Sequence, residues 1–520
     1  MMDSILGPCH GGGVSSRDEL RDGQIVLPRF DAAAVFGIAV AVALVHIATN
    51  NRYGFHRDEL QFLSDARHLD WGFVSYPPLT PFLEYLSLKL FGLSMVGLRL
   101  FSVLAQALVL VLTGLMTYQF GGKRLAQVTA VLAVALSPLP LFEGTEFQYT
   151  SFDYLWWVLC AYFVVRLLGT EDRRWWLAIG GAVGAGSMTK YTIGVLALGI
   201  LCGFALTQRR YLLRNWMFVC GCGLAVCLAL PNLVWQAHHG FVSYQFLRSI
   251  HERDIGWGRT RGFVWKQFVV CTNVYATPLW IAGLVSCWRS PRYRPVALMY
   301  LVPFAVLFLG NGIFYYLGAA YPMLFASGAP VCERWLASLS TRWRYSVRAI
   351  FFAALLGAGA YSYALVLPLA SSGPLLRFAL ARNGDLREEF GWDDLVRTVA
   401  AIRDALPADR RADFGVVVGN YGEQGAIEIL GPAYHLPPPI SMTNSAWLRG
   451  YSVPPPSTLI VVGFSPKDAE AAFTGCRLAG HNGNAAGVEN EESRYHPDIF
   501  LCGGPIQPWP EFWKEHQQFG

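Results

Sequence analysis

The chain has 520 residues, of which 53% are hydrophobic and 15% are charged, and its formal net charge is +5. Soluble proteins usually carry about 25% charged residues, so the composition excludes an ordinary soluble protein. Apolar runs recur from Asp31 to about Leu369, and the arginines between them concentrate in short connections. This pattern is typical of a multi-pass helical membrane protein and requires no nucleic-acid partner to explain the charge.

The N-terminal thirty residues are polar and Gly-rich, without the apolar core of a signal peptide, and predict a cytoplasmic tail over residues 1–30. Windows long enough to cross a bilayer predict about eleven transmembrane helices within residues 31–369, with long outer loops at 50–93 and 236–265. The predicted spans are 31–49, 94–120, 125–142, one beginning at Ser151, two meeting at "SMTKYT", 218–235, 268–287, 295–309, 316–331 and 349–369.

Arginine-rich connections fall on alternating sides of these spans, as in "GGKR", "EDRR", "QRRYLLR", "RSPRYR" and "TRWRYSVR". Such connections are expected on the cytoplasmic side. With the N-terminus inside, the loops that contain Asp58, Asp153 and His238 then all face the outer side. An odd number of spans places the C-terminal part on that same face.

From about Ser371 the pattern changes to that of a small α/β domain, which we predict over residues 370–520 on the outer face. A helical period is present in "WDDLVRTVAAIRDAL", short buried strands in "FGVVVGN" and "TLIVVGF", and a short helix in "EQGAIEILG". Cys476 and Cys502 lie in this part and would pair in an oxidising compartment. The predicted fold is therefore mainly α, a membrane helical bundle with a small C-terminal α/β domain.

Three charged residues, Arg57, Asp58 and Glu59, stand together where the chain leaves its first apolar run. Asp58 followed by Gln61 fits a capping box, which predicts a helix beginning at the membrane surface. The same position suits an acidic catalyst near the depth of the lipid headgroups. The two roles are compatible, and both stay open.

Asp153 lies in "QYTSFDYLWW", at the mouth of an apolar span on the same predicted face as Asp58. A carboxylate entering a span is costly and predicts function, although an N-terminal cap beside an aromatic belt is the alternative. Two carboxylates on one face suit base catalysis, because one accepts a proton while the other orients the acceptor or a cation.

Several cationic and aromatic residues are candidates for binding an anionic headgroup. Lys190 and Tyr191 lie between two apolar spans, where the alternative is a lysine reaching toward the interface. His238 and Arg253 lie in the second long outer loop, which could instead be a solvated surface. Tyr316 lies at an outer helix end, a common site for aromatic belt residues. The spacing of these residues predicts no metal ligand set.

Six stretches, in this order, resemble those of bacterial glycosyltransferase family 39-like proteins of the GT-C class. That class includes protein O-mannosyltransferases and the lipid A aminoarabinose transferase. The resemblance extends from about Asn51 to Trp513. The stretches are "YGFHRDELQFLSDARHLDWGFVSYPPL", "SFDYLWW", "GSMTKYT", "YYLGAAYP", "GNYGEQGAI" and "PWPEFW".

The resemblance implies a glycosyltransferase of the bacterial inner membrane that uses a polyprenyl-phosphate sugar, a mannose-like hexose or a related sugar. The acceptor would be a hydroxyl of a lipid, glycan or protein at the outer face, and inversion is expected. Asp58, Glu59 and Asp153 match the acidic positions of the family and would be catalytic. Arg57, Lys190 and Arg253 would bind substrate, with Lys190 first on the leaving phosphate. A divalent cation is left open.

The chain departs from its relatives at two places. Ser75 and Tyr76 stand where the aminoarabinose transferase carries Glu-Lys, and Ile313 and Phe314 stand where relatives often carry Lys. Both changes remove possible phosphate or metal contacts, so the details of the donor site cannot be transferred from the resemblance, and the acceptor and the sugar stay open. The rival function is a lipid or solute transporter, whose charged residues would line a pathway and whose inverted repeats are not evident.

Overall fold

The computed structural model describes residues 27–520, so residues 1–26 of the predicted N-terminal tail lie outside the described residues. Up to residue 369 the described chain is helical, and residues 314–320 form a 3-10 turn. The helices are α1 (Ala32–Thr49), α2 (Arg57–Arg67), α3 (Leu79–Phe91), α4 (Met95–Gln119), α5 (Arg124–Ala135), α6 (Pro138–Phe142), α7 (Tyr149–Thr170), α8 (Trp175–Ser187), α9 (Ile193–Ala205), α10 (Trp216–His238), α11 (Val242–Gly256), α12 (Phe263–Val269), α13 (Thr277–Arg289), α14 (Arg294–Leu309), α15 (Tyr321–Ser338) and α16 (Thr341–Val366).

Five of the described helices, α1, α4, α7, α10 and α16, are long and apolar enough to cross a membrane. A sixth span arises if α12 and the following helix, which are bent by 94° at their junction, are counted together. Shorter apolar helices, α5, α9 and α14, lie among them. The protein is therefore a multi-pass membrane protein, while the count of about eleven spans stays a prediction.

Polar side chains begin several of the long helices at the predicted positions. The carboxylate of Asp31 accepts the N–H of Ala34 at 3.1 Å, and the hydroxyl of Ser94 accepts that of Gly97 at 3.2 Å. Each cap satisfies a backbone donor that has no partner within its own helix. The predicted starts of α1 and α4 are confirmed for this reason.

Two spans that the sequence predicts as continuous are interrupted. The predicted helix 125–142 is broken before Pro138, which has no backbone N–H to continue the hydrogen bonding. The predicted helix 268–287 is bent at Asn273, whose side-chain amide donates to carbonyls at the end of α5 (3.0 Å) and in α16 (3.1 Å). Hydropathy windows average over such breaks and therefore do not detect them.

The predicted outer loops are largely helical. Residues 50–93 contain α2 and α3, and residues 236–265 contain α11 and the start of α12. Helices α2 and α11 are too polar for a hydropathy window to identify, and α3, with 13 residues, is apolar but too short to be identified as a span. These two connections between the spans are therefore built of helices rather than of irregular loops.

The C-terminal part combines short helices with one sheet. Its helices are α17 (Gly373–Arg382), α18 (Trp392–Asp404), α19 (Ala408–Ala412), α20 (Tyr421–Leu430), α21 (Asn444–Arg449), α22 (Pro466–Ala472), α23 (Glu491–Tyr495) and α24 (Trp509–Glu515). Its strands are β1 (Phe414–Val418), β2 (Ile440–Ser441), β3 (Thr458–Val462), β4 (Arg477–His481) and β5 (Asp498–Cys502).

The sheet has the strand order β2-β1-β3-β5-β4, with β1 parallel to both its neighbours and β5 antiparallel to β3 and β4. The predicted strands β1 and β3 and the predicted helices α18 and α20 are confirmed. Strand β4 is exposed along most of its length and contains no run of large apolar residues that would mark it in the sequence. Cys476 and Cys502 form a disulfide that links the segment before β4 to the end of β5.

The C-terminal part packs directly on the membrane part through α20 and α2. Gly425 lies so close to α2 that a Cβ there would be 2.4 Å from the carbonyl oxygen of Leu60. A Cβ on Gly422 would be 2.6 Å from Cγ of Arg57. Only glycine permits this distance, so the two helices are held together at backbone contact.

A buried cluster around Arg99, near the start of α4, joins three parts of the chain. Its guanidinium donates to both carboxylate oxygens of Glu59 on α2, at 2.8 and 2.7 Å. It also donates to the carbonyl of Gly54 at 3.0 Å and lies 3.3 Å from the carboxylate of Glu389, which precedes α18. Arg99 is 1% exposed, so its charge depends entirely on these partners.

We predict that Arg99→Ala destabilises the protein by about 3–5 kcal/mol, because two buried carboxylates lose their counter-charge. Thermal unfolding in detergent measures the loss. Arg397→Ala is the control, since Arg397 pairs with Asp393 and Asp394 on an exposed surface, where ion pairs contribute little. Equal melting temperatures for wild type, control and Arg99→Ala would contradict the role assigned to the cluster.

Candidate active site

A cavity of about 1830 Å³ lies between the membrane helices and the C-terminal part. One wall is apolar and includes Val195, Val306 and Leu307 of α9 and α14. The polar residues on which the site depends also line it: Arg57, Asp58, Gln148, Lys190, Arg253 and Tyr421. The cavity thus brings together groups that are up to several hundred residues apart in the chain.

The predicted capping box at Asp58 and Gln61 is wrong, because the helix begins two residues earlier. His56 is the N-cap: its ring accepts the N–H of Asp58 at 3.2 Å, and the carboxylate of Glu59 accepts the N–H of His56 at 2.8 Å. A histidine is an uncommon cap, so the sequence favoured the aspartate. Since Asp58 is not needed to cap α2, its carboxylate points into the cavity.

Two donors from distant parts of the chain hold the carboxylate of Asp58. Gln148 donates to Oδ2 and Tyr421 donates to Oδ1, both at 3.0 Å. Burial opposes ionisation, but nearby His56 and Arg57 and these two hydrogen bonds outweigh it and hold the pKa of Asp58 below its ordinary value. Asp58 is therefore ionised at neutral pH and can accept a proton.

Glu59 is fully buried and is directed away from the cavity into the Arg99 cluster. Its carboxylate accepts from Arg99, from the N–H of Phe147 at 2.8 Å and from the N–H of His56. Burial opposes ionisation, yet the Arg99 charge and these donors keep the pKa of Glu59 below its ordinary value. All its lone pairs are engaged, so the geometry favours a structural role over direct catalysis.

Asp153 lies one turn inside α7 and does not cap that helix, which begins after Gln148, so the capping alternative is wrong. Its Oδ2 accepts from the hydroxyl of Thr192 at 2.7 Å, while Oδ1 has no hydrogen-bond partner among the described residues. Thr192 and Lys190 line the cavity, so Asp153 lies just behind its surface. Here it can orient neighbouring groups and hold a negative charge near Lys190.

The ammonium group of Lys190 lies among three tyrosine rings at the cavity wall. Nζ is 4.6 Å from the ring centre of Tyr149, 5.3 Å from that of Tyr315 and 4.3 Å from that of Tyr316. Each contact is within the range of a cation–π interaction. The lysine is thus directed into the cavity rather than along the surface, and Gln148 and Tyr149, consecutive residues, connect it to Asp58.

The remaining predicted binding residues differ in their position. Arg253 lines the cavity and stacks on Trp257, with its guanidinium carbon 4.9 Å from the ring centre. Tyr191 also lines it, but its hydroxyl donates to Asn232 on α10 at 3.0 Å. His238 is exposed at the end of α10 and is not part of the cavity wall. The structure therefore groups Arg253 and Tyr191 with the site and leaves His238 outside.

Arg57 lines the cavity beside Asp58 and is held by the C-terminal part. It pairs with Glu491 of α23 and lies 3.7 Å from Glu492, and its guanidinium carbon is 5.1 Å from the ring centre of Tyr421. Burial raises the pKa of Glu492 to about 7 despite the nearby Arg57 charge. Arg57 thus carries the contacts of an anchoring residue as well as facing the cavity.

Several cavity residues were missed in the sequence. Gln148 and Tyr149 lie in the short loop "EGTEFQYT", and Lys266 begins no recognisable motif. Tyr421 lies in "GNYGEQG", a stretch whose glycines are typical of a turn from a strand to a helix. The sequence feature that could have identified Tyr421 is its position at the polar start of an otherwise apolar helix. Only the fold shows which distant residue it contacts.

The two departures from the related proteins have structural counterparts. The hydroxyl of Tyr76 donates to Asp65, which also pairs with Arg449 of α21. Tyr76 therefore joins the membrane part to the C-terminal part instead of presenting a charge. At the second departure, Ile313 and Phe314, the ring centre of Phe314 lies 4.6 Å from Nζ of Lys266. Lys266 of α12 therefore provides a cation beside Phe314 in the cavity.

Within residues 27–520, no group of three His, Cys, Asp or Glu side chains is arranged to hold a metal ion. The cavity lining contains carboxylates, among them Asp58 and Glu491, and cations, among them Lys190 and Arg253.

Residues 75–235 match the family model of dolichyl-phosphate-mannose-protein mannosyltransferase. The structure is similar to apo ArnT from Cupriavidus metallidurans, with 14% identity over 90% of this chain and 97% of that chain and a TM-score of 0.54. The same protein bound to undecaprenyl phosphate gives 16% identity over 90% and 98% of the two chains and a TM-score of 0.48. A comparison with curated proteins finds no match.

The oligosaccharyltransferase of Archaeoglobus fulgidus, in complex with Zn and sulfate, shows 11% identity over 84% of this chain and 71% of that chain, with a TM-score of 0.44. Apo ArnT establishes the likeness of fold, and the family model supplies a likeness of sequence over residues 75–235. The resemblance to GT-C glycosyltransferases predicted from the motifs is thereby confirmed.

We predict that Asp58→Asn leaves stability within about 1 kcal/mol of wild type, whereas Glu59→Gln costs about 3 kcal/mol. An asparagine at position 58 presents one oxygen and one NH₂ group. The Gln148 amide can rotate to present its oxygen to that NH₂ group, and the Tyr421 hydroxyl can accept as well as donate, so both partners tolerate the change. The partners of Glu59 are a guanidinium and backbone N–H groups, which only donate and would face the new NH₂. Thermal unfolding of the two variants measures the difference, and equal losses would contradict it.

Proposed function

We propose that the protein is an integral-membrane glycosyltransferase that moves a sugar from a polyprenyl-phosphate donor to an acceptor hydroxyl. The observation that carries the proposal is one cavity with three features. It contains the ionised carboxylate of Asp58, the cation of Lys190 among its tyrosine rings, and an apolar wall. A base, a phosphate-binding charge and a surface for a lipid chain are the three elements that this reaction requires.

The apolar wall supports a lipid-linked donor. Val195, Val306 and Leu307 come from membrane helices, and Leu365 and Val366 extend the wall at the end of α16. An isoprenoid chain can pack there while its phosphate lies near Lys190 and Arg253. Positive charge beside a membrane suits an anionic lipid headgroup.

Asp58 is the proposed general base. Its ionised carboxylate accepts the proton of the acceptor hydroxyl as that oxygen attacks the anomeric carbon. The bond from the anomeric carbon to the phosphate oxygen breaks, and polyprenyl phosphate leaves with the electron pair. Attack opposite the leaving group inverts the anomeric centre, and Lys190 stabilises the charge that develops on phosphate.

Asp153 and Glu59 are proposed to act around this step. Asp153, behind Lys190, holds that lysine and Thr192 in place through charge and a hydrogen bond. Glu59 fixes the start of α2, on which Asp58 stands. We therefore retain both residues in the site, as supporting groups.

We place the cavity and the C-terminal part at the outer face of the bacterial inner membrane. The Cys476–Cys502 disulfide supports an oxidising compartment, and the arginine-rich connections support the opposite side as cytoplasmic. Activated sugars reach that face on lipids, which agrees with a polyprenyl-phosphate donor. A mannose-like hexose or a related sugar and a lipid, glycan or protein acceptor are the proposed substrates.

Asp58→Asn should reduce transfer about 10³-fold, because an amide cannot accept the proton. Labelled polyprenyl-phosphate mannose is supplied to membranes that contain each variant, and transfer to endogenous acceptors is measured. Asp404→Asn, at the exposed end of α18, is the matched control. Full transfer by correctly inserted Asp58→Asn would refute the base assignment, and donor movement without transfer would favour a transporter.

Lys190→Met should raise the KM for the donor about tenfold or more, because the phosphate loses a charged contact. Lys190→Arg should recover part of the loss. Lys89→Met provides the control, since Lys89 also lies over a tyrosine ring, that of Tyr85 at 5.3 Å, but is exposed outside the cavity. A KM equal to that of the control would exclude Lys190 from donor binding.

A further inference from the structure

We infer that Tyr421, in the C-terminal part, is a positioning residue for the Asp58 carboxylate, so that this part completes the active site. The inference rests on the proposed role of Asp58 as the base. The sequence is compatible with two roles for the C-terminal part: it could only brace the outer loops, or it could bind the acceptor and so contribute to the site. The contact between Tyr421 and Asp58 is what distinguishes these alternatives.

The two oxygens of Asp58 are held from opposite sides by different parts of the chain. Tyr421 donates to Oδ1 and Gln148 donates to Oδ2, at 3.0 Å each. A carboxylate held at only one oxygen can rotate about its Cβ–Cγ bond, whereas two donors fix its plane. Each oxygen keeps a further lone pair, so the acceptor hydroxyl can still be bound.

Tyr421 is itself fixed in place. It is the first residue of α20, which is capped by Asn420 through a hydrogen bond from the N–H of Glu423 at 2.9 Å. The next residue, Gly422, lets α20 approach α2 at the backbone, and Arg57 covers the tyrosine ring. The ring is therefore held beside Arg57 by the packing of α20 on α2, with its hydroxyl directed at Asp58.

A hydrogen bond to a carboxylate stabilises its ionised form and lowers its pKa. Apart from Tyr421 of α20, the charged or titratable groups near Asp58 come from the start of its own helix and from α7, while acidic groups of α23 reach it through Arg57. These groups are His56, Arg57, Tyr149, Glu491 and Glu492. Removing only the Tyr421 hydroxyl leaves the others in place, so the effect on Asp58 can be isolated.

The test is Tyr421→Phe in the full-length membrane protein, with transfer from labelled polyprenyl-phosphate mannose measured across pH. The acid limb of the kcat profile should move to higher pH by about one unit, because Asp58 loses one hydrogen bond to its ionised form. The plateau of kcat should fall about tenfold as the carboxylate loses its orientation, with the donor KM changed less than about twofold.

Tyr434→Phe is the matched control, because the Tyr434 hydroxyl also donates to an aspartate of the C-terminal part, Asp393 at 2.9 Å, outside the cavity. Its profile should equal that of wild type. A Tyr421→Phe profile that coincides with the control would overturn the inference.

Incorporation of 3-fluorotyrosine at position 421 provides a second measurement that keeps the ring and the hydroxyl if Tyr421→Phe does not fold. A more acidic phenol donates more strongly, so the acid limb should move to lower pH, and an unchanged limb would overturn the inference. The Asp58→Asn variant distinguishes a failure of this inference from a failure of the proposed function. If Asp58→Asn retains transfer, Asp58 is not the base and the proposed function itself fails. If Asp58→Asn loses transfer while the pH profile of Tyr421→Phe is unchanged, only the role of Tyr421 is overturned.

Discussion

The buried charge of Arg99 is the constraint on which the arrangement of the site depends. A guanidinium removed from water must be surrounded by acceptors, and here they come from α2, from the loop before it and from the segment before α18. Satisfying one arginine therefore fixes the distances between the membrane helix α4, the amphipathic helix α2 and the C-terminal part. The cavity lies between these same elements.

Adjacent residues in α2 divide two tasks because a helix turns about 100° per residue. Glu59 points into the Arg99 cluster and holds the helix, so the next residue toward the N-terminus is free to point into the cavity. His56 supports this division by capping α2. With the cap elsewhere, the carboxylate of Asp58 is not consumed by backbone donors, and distant side chains can set its orientation and pKa.

Much of the fold was predictable from local patterns. Long apolar runs such as α1 and α4 and the Gly-bounded strands β1 and β3 carry strong periodic signals and appear where expected. The break before Pro138 was missed because a hydropathy window averages over a single proline, and the bend at Asn273 was missed because it depends on hydrogen bonds to helices far away in the chain. Strand β4 was missed because its pairing with β5, rather than apolar residues, determines it.

In the candidate site, too, some residues could be recognised from the local sequence, whereas the role of others depends on contacts with distant residues. Asp58, Asp153 and Lys190 were identifiable because a charge beside an apolar span is unusual in any sequence. Gln148 and Tyr421 are ordinary polar residues, and their importance follows only from the contacts they make with Asp58.

Tyr421 lies more than 350 residues from that aspartate, in a part of the chain that differs in composition from the membrane helices. Its position follows from glycines that allow α20 to contact α2 at the backbone. The packing of two helices, rather than any motif, thus brings a hydroxyl of the C-terminal part to the carboxylate.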